Sequence, residues 1–346
     1  MQGGTDKKFT PLSDLGEFGL IDHLTKDFKI SHQSTIKGIG DDAAVLEYGN
    51  EEIVVTTDLL AEGVHFNLVY TPLKHLGYKA VVVNLSDVYA MNAQPRQITV
   101  SMAVSSKFSV EDLEELYFGI KLACEKYNVD LIGGDTTSSY TGLIISVTAI
   151  GHVTKKKILR SGAQVNDLIC VSGNLGAAYM GLQLLERERK IFEKVGVSKP
   201  DFGMYSYILE RQLRPEARKD IIEILEKANI LPTSMIDISD GLSSEITHIC
   251  NASDLGCYIY QEKIPIAEET IAMAEEFNLP PLTAALNGGE DYELLFTVPV
   301  SDFEKMAAIP EISIIGHMAP KNQACQLVLN SGDEIDIVAQ GWNAMN

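Results

Sequence analysis

Five times in this sequence an apolar or glycine-rich stretch runs straight into carboxylates. The five are Gly38-Ile39-Gly40-Asp41-Asp42, Val55-Thr56-Thr57-Asp58, Gly133-Gly134-Asp135, Asp237-Ile238-Ser239-Asp240-Gly241 and Gly288-Gly289-Glu290-Asp291. A charge at the tip of an apolar element cannot be buried without a partner. The fold must therefore leave these tips in water or gather them around a cation. A sixth group, Asn84-Leu85-Ser86-Asp87, lies in residues 78–91. Apolar residues at 78, 81, 82, 85 and 89 give that segment a helical period and leave Asn84, Asp87 and Met91 along another face.

The stretches that carry these tips alternate between strand and helix patterns in both halves of the chain. Residues 52–57 are β-branched and predict a strand stopping at Asp58; residues 98–104 alternate as a second. Ser109 followed by Asp112 predicts a capped helix running to about Tyr127. Residues 129–132 predict a short strand ending at the 133–135 glycines, and 143–153 a longer one. Beyond a basic stretch at 154–167, strands are expected at 167–171, 235–238, 293–298, 312–316 and 325–329, with helix through most of 199–227. Strands mixed with helices without strict βαβ regularity indicate two α+β domains, 1–153 and 154–346. No tandem repeat or low-complexity tract is visible.

Charge narrows the function. Lys plus Arg total 28 against 48 Asp plus Glu, a formal net charge of −20. Such a body repels phosphate backbones and anionic lipid, which argues against nucleic-acid and membrane-surface roles. The five cysteines form no Cys-x-x-Cys pair and most stand among apolar neighbours, so they read as small buried hydrophobes of a reducing compartment rather than a disulfide or zinc framework. No apolar stretch opens the chain and none approaches the length of a membrane span, so a cytoplasmic location is expected.

A lone Asp beside Gly is ordinarily a turn or cap residue. Several crowded together repel one another unless a cation lies between them. Oxygen ligands without His or Cys companions suit Mg²⁺, which also leaves room for phosphate oxygens. Metal ions bridging carboxylate to polyphosphate would let this acidic chain hold ATP. There is no Walker A loop, and the formal dinucleotide fingerprint at Gly38-x-Gly40 is rejected because Asp41 and Asp42 would face the pyrophosphate. The turn Gly173-Asn174-Leu175-Gly176 is a weak anion-site signal. Among scattered histidines only His65 follows a carboxylate tip; Arg160 lies at the junction of the halves; Trp342 is the single tryptophan, in a polar tail.

Taken in order, these motifs resemble those of the thiamine-monophosphate kinases. These belong to the ATP-binding superfamily that includes aminoimidazole ribonucleotide synthetase, selenophosphate synthetase and hydrogenase maturation factor E. The resemblance rests on Gly38-Ile39-Gly40-Asp41-Asp42-Ala43-Ala44, Thr57-Asp58 with Glu62-Gly63-Val64-His65-Phe66, and Val83-Asn84-Leu85-Ser86-Asp87. It continues through Leu131-Ile132-Gly133-Gly134-Asp135-Thr136-Thr137, Ile236-Asp237-Ile238-Ser239-Asp240-Gly241-Leu242 and Gly288-Gly289-Glu290-Asp291-Tyr292-Glu293-Leu294, and spans about Gly16 to Trp342.

The resemblance implies a two-domain α+β fold of the aminoimidazole ribonucleotide synthetase type, with mixed sheets and helices packed on one side of each. It implies ATP plus thiamine monophosphate giving ADP plus thiamine diphosphate, by direct in-line transfer dependent on several Mg²⁺ ions. Asp42, Asp58, Asp87, Asp135, Asp237 and Asp240 would hold metal, with oxygens from Thr56 and Thr57. Gly134, Asp135, Arg160 and Ser239 would touch ATP, and His65, Glu290 and Trp342 the thiamine phosphate. A homodimer through the N-terminal domains is implied as well. The family often carries Ser where Thr56 stands, and its tail aromatic varies.

Two sister activities lack their reactive cysteine here: the first is Cys124, and the chain ends Trp342-Asn343-Ala344-Met345-Asn346. From other classes, a non-catalytic divalent-cation binder and a two-metal phosphohydrolase remain as alternatives.

Overall fold

The computed structural model describes Gly19 and residues 31–195 and 205–339. Two mixed sheets organise them. The first contains β1 (Thr35–Lys37), β2 (Ala44–Tyr48), β3 (Glu51–Ala61), β4 (Gln94–Val104), β5 (Asp130–Ser138) and β6 (Ile144–His152), in the order β1-β2-β3-β6-β4-β5. Helices α1 (Leu73–Ala90) and α2 (Val110–Tyr127) pack on one face of it, where Val54, Leu60, Val100, Ile145 and Val147 meet Leu76, Val81, Leu85, Leu116 and Ile120. The other face stays open; Thr57 and Leu59 of β3 are exposed there. Ser109 caps α2, accepting from the Asp112 N–H at 3.2 Å while the Asp112 carboxylate accepts from the Ser109 N–H at 2.8 Å, as the sequence predicts.

The second sheet is built from β7 (Leu168–Ser172), β8 (Ser234–Asp237), β9 (Leu255–Tyr260), β10 (Leu294–Val298), β11 (Ile312–Pro320), β12 (Cys325–Val328) and β13 (Glu334–Asp336). Its order is β13-β12-β9-β11-β7-β10-β8. Around it lie α3 (Ala177–Val195), α4 (Ser206–Leu213), α5 (Lys219–Lys227), α6 (Leu242–Ser253), α7 (Glu268–Glu276), α8 (Pro281–Asn287) and α9 (Phe303–Ala307). The α+β class is as expected, with one difference of layering. Ile169 and Val171 of β7 enter a core with α6 and α8, whereas Leu168 and Cys170 enter another with α5 and α9. This sheet is thus covered on both faces rather than one. β7 and β10 consequently read as nearly continuous apolar runs, broken only by Ser172 and Thr297, because a strand buried on both sides needs no polar alternation.

Two strands outrun their sequence signals. β3 continues past Asp58 to Ala61, paired with β6 all the way, and β5 carries Gly133, Gly134 and Asp135 inside an edge strand rather than at its end. Pairing to a neighbour, invisible in local sequence, extends both. The halves interlock through α1 and the α4–α5 connection. Ala90 joins the core of the second sheet and Ala217 that of the first, while Tyr78 and Tyr127 both donate to Glu216, at 2.7 and 2.5 Å. Among the described residues no helix is long and apolar enough to cross a membrane.

Candidate active site

Helix α1 is the post on which the site hangs. It is buried nearly all round, and its polar residues each hold a different element. Asn84 Oδ1 accepts the Asp58 N–H at 3.0 Å, fixing β3. Ser86 donates to Asp237 Oδ2 at 2.6 Å, fixing the end of β8. Lys79 Nζ pairs with Glu290 at 2.7 Å, and Gln212 Nε2 donates to the same carboxylate at 2.8 Å. Asp87 accepts from the Thr56 hydroxyl at 2.6 Å.

The outcome is a carboxylate cluster assembled from four separate stretches. Carboxylate oxygens of Asp42, Asp87 and Asp237 lie within 4.8 Å of one another. Asp58 and Asp240 stand close enough to add to the repulsion felt in the cluster. Burial, reinforced by Asp237 and Asp41 against the pull of Arg160, pushes Asp42 up to about 7. Burial likewise lifts Asp237 to about 6, and raises Asp87 with Asp58 and Asp237 adding to it. Arg160 answers part of this charge: its Nη2 lies 2.6 Å from Asp42 Oδ1, so it is a site cation and not a solvated linker charge. Asp42 Oδ2 remains buried with no hydrogen-bond donor. An oxygen-only donor set with an orphaned carboxylate oxygen fits a hard divalent ion such as Mg²⁺.

Above the cluster opens a cleft of about 1670 Å³ lined by both halves, from Asp42, Thr56, Asp58 and His65 on one side to Ser239, Asp240 and Glu290 on the other. His65 Nδ1 accepts the Ala61 N–H at 3.0 Å, which locks the turn after β3, and His65 is among the residues lining the cleft. The 238–241 and 288–292 loops are clamped together by Glu290 N–H to Ser239 C=O at 2.6 Å and Tyr292 N–H to Ile238 C=O at 2.8 Å. Gly289 is at φ +71°, and a Cβ there would meet the Ser239 carbonyl at 2.6 Å. Glu290 and Tyr292 adopt φ of 58° and 50°, left-handed positions rare for such side chains, so this loop is held under strain at the site.

A buried ion network keeps that strain in place. Arg211 Nη1 reaches Glu293 at 2.9 Å, Arg218 pairs with the same carboxylate, and Asp291 accepts the Gly176 N–H at 2.7 Å. The amides of Gly173, Leu175 and Gly176 are thereby all spent on protein acceptors, which removes the 173–176 turn as an anion site. Arg211→Met leaves buried negative charge uncompensated and is expected to cost about 3 kcal/mol, read as a lower urea midpoint at unchanged m-value.

Three expected contacts, Thr57, Gly134 and Asp135, do not join the carboxylate cluster. Thr57 lines the cleft, with its hydroxyl on the open face of the sheet, where it donates to the Val147 carbonyl at 3.0 Å. Alternation along β3 sends Thr56 and Asp58 to the helix side and Thr57 to the other. Gly134 and Asp135 sit on exposed edge strand β5, three strands from β3, roughly 14 Å at about 4.8 Å per strand. Asp135 shares a cross-strand row with Ser101, Ser146 and Leu59 on the open face, and does not line the cleft of its own chain. Gly134 has a packing reason as well: a Cβ would lie 1.8 Å from the Val100 carbonyl. Trp342 falls outside the described residues. Sequence reasoning passed over Lys79, Ser86 and Gln212; the only local signal was Lys79 interrupting an apolar helix.

Comparison with known proteins agrees with this geometry. Residues 40–153 match the family "AIR synthase related protein, N-terminal domain". The thiamine-monophosphate kinase of Aquifex aeolicus (strain VF5) is 36% identical over 301 residues, covering 87% of this chain and 92% of that protein. That of Bacillus subtilis (strain 168) is 34% identical over 342 residues, covering 95% and 99%. A solved structure of AaThiL complexed with AMPPCP and TMP superimposes with a TM-score of 0.81 at 33% identity, covering 97% and 99%. The chain belongs to the thiamine-monophosphate kinase family.

Proposed function

We propose that this chain transfers the γ-phosphoryl group of ATP to the phosphate of thiamine monophosphate, giving ADP and thiamine diphosphate. The observation that carries the reading is the convergence of Asp42, Asp87 and Asp237 beneath a cleft with room for a nucleotide and a second substrate. When bound, Mg²⁺ supplies charge neutralisation between the two anionic substrates and at the transferring group. Asp42, Asp58, Asp87, Asp237 and Asp240 would hold it, with Thr56 orienting Asp87. The acceptor is itself a phosphate, largely ionised at neutral pH, so no strong general base is needed. Arg160 and Ser239 face the nucleotide; His65 and Glu290 face the thiamine phosphate, with Lys79 and Gln212 positioning Glu290.

Asp135 enters the reading through a homodimer. The open face of the first sheet, with Leu59 exposed on β3 and a row Leu59, Ser146, Ser101 and Asp135 running across it, supports pairing of two N-terminal domains (1–153) that carries Asp135 and Gly134 of one copy toward the cleft of the other. Free thiols at all five cysteines accord with a reducing cytoplasm.

A coupled assay with ATP, Mg²⁺ and thiamine monophosphate tests the activity. ADP and thiamine diphosphate are expected to form in equal amounts, with no turnover once Mg²⁺ is chelated. Phosphate release from thiamine monophosphate without ATP would instead identify a hydrolase. Mg²⁺ binding indifferent to nucleotide, with no ADP formed, would leave a plain ion binder.

A further inference from the structure

Linear spacing separates Cys250, Cys257 and Cys325, but the fold gathers them away from the kinase cluster. Cys250 lies in the last turn of α6, Cys257 in β9 and Cys325 at the start of β12. β12 runs parallel to β9 with Cys325 directly beside Cys257. Helix α6 packs over that pair, and the three sulfurs lie within 4.8 Å of one another. Cys250 and Cys257 are buried, whereas Cys325 is half-buried and lines a second cleft of about 640 Å³ with Asn251, Asp254, Lys321 and Asp336.

The same chain shows what a merely packed cysteine looks like here. Cys170 lies in a core of carbon side chains, and burial alone raises its thiol. The three converging sulfurs differ in kind. Each of Cys250, Cys257 and Cys325 has the other two sulfurs for neighbours, an arrangement that carbon packing does not require. With metal–sulfur bonds of about 2.3 Å, a tetrahedral centre spaces its sulfurs by about 3.8 Å. An ion between these three reaches all of them with sub-ångström adjustment, and the cleft at Cys325 provides the entry path that such a site requires. Soft sulfur donors exclude Mg²⁺ and select thiophilic ions.

We propose that Cys250, Cys257 and Cys325 bind one thiophilic d¹⁰ cation, Zn²⁺ or Cu⁺, with the remaining coordination position facing the second cleft. Binding forms three metal–sulfur bonds and releases to water whichever thiol protons are still present. The site is separate from the carboxylate cluster, which prefers hard ions.

The test uses the full chain, reduced and stripped of metal, in excess Mg²⁺ to fill the carboxylates. Zn²⁺, and Cu⁺ in a parallel anaerobic titration, are competed against a chromophoric chelator. One equivalent of at least one ion per chain is expected, with Kd below about 1 μM, and Co²⁺ is expected to give a sulfur-to-metal charge-transfer band. Cys325→Ser, at the half-buried position, should weaken binding about a hundred-fold and abolish the band while leaving kinase turnover unchanged. Cys250→Ala should do the same, and Cys124→Ser should change nothing. Failure of both ions to bind below about 10 μM, or equal binding by Cys325→Ser, overturns the proposal.

Discussion

Asp87→Asn is expected to lower turnover at least a thousand-fold and, in the absence of divalent cations, to make the protein more stable. The first effect follows from the job of the cluster. Phosphoryl transfer between two anions depends on fixed countercharge, and removing a single preorganised electrostatic element from such a site typically costs two to three orders of magnitude or more. Asn keeps the acceptor for the Thr56 hydroxyl, which now bonds Asp87 at 2.6 Å, so local packing persists. The second effect follows from repulsion. Burial, with Asp58, Asp237 and Asp42 adding to it, raises Asp87 well above the usual carboxylate range. Relieving that repulsion is expected to stabilise the ion-free fold.

The pH dependence fixes the sign. In the ion-free fold burial pushes Asp42 up to about 7 and Asp237 to about 6, against about 3.9 for an ordinary aspartate. Between about pH 4 and pH 7 the native state therefore holds protons that the unfolded chain has released, and stability falls as pH rises through that window. Urea titrations of ion-free protein at several pH values should show this slope in the wild type, a shallower one in Asp87→Asn, and its suppression by Mg²⁺. Unchanged turnover in the variant would remove Asp87 from the site.

What the sequence made legible and what it hid divide along a physical line. Asp42, Asp58, Asp237 and Asp240 stood out because each follows an apolar or glycine-rich element, and a charge at such a place is a local anomaly. Asp87 emerged from helical periodicity. Most of the residues that position them did not. Asn84 shared the face that periodicity gave Asp87, but Lys79 and Ser86 lie on the other sides of a helix buried nearly all round, where a polar residue has no exposed face to mark it. Thr56 and Thr57 both line the cleft, yet the strand sends them to opposite faces, which adjacency in sequence does not show. The three cysteines met only through strand pairing and helix packing across distant stretches. The layering of the second sheet depended on what covers it, and the apolar runs of β7 and β10 fit either a one-sided or a two-sided core until the helices are placed.

The same distinction sets the sharpest test of assembly. Asp135→Asn is expected to abolish turnover, although Asp135 lies on an exposed edge strand about three strand spacings from β3. If it acts across a dimer, mixing it with Asp87→Asn must restore activity. In a mixed dimer, one cleft combines Asp87→Asn with the Asp135→Asn strand of its partner and stays dead. The other combines an intact cluster with an intact Asp135 and works. Random re-pairing makes about half the dimers mixed, each with one working cleft of two, so the mixture should reach about a quarter of wild-type activity from two inactive parents. The measurement is the ADP-coupled rate after co-expression, or after unfolding and refolding the variants together. If Asp135 served the cleft of its own chain, each chain would carry one lesion in its own site and the mixture would stay inactive. If Asp135 had only a packing role on β5, the single variant would turn over at the wild-type rate, since an exposed carboxylate on an edge strand carries little stability.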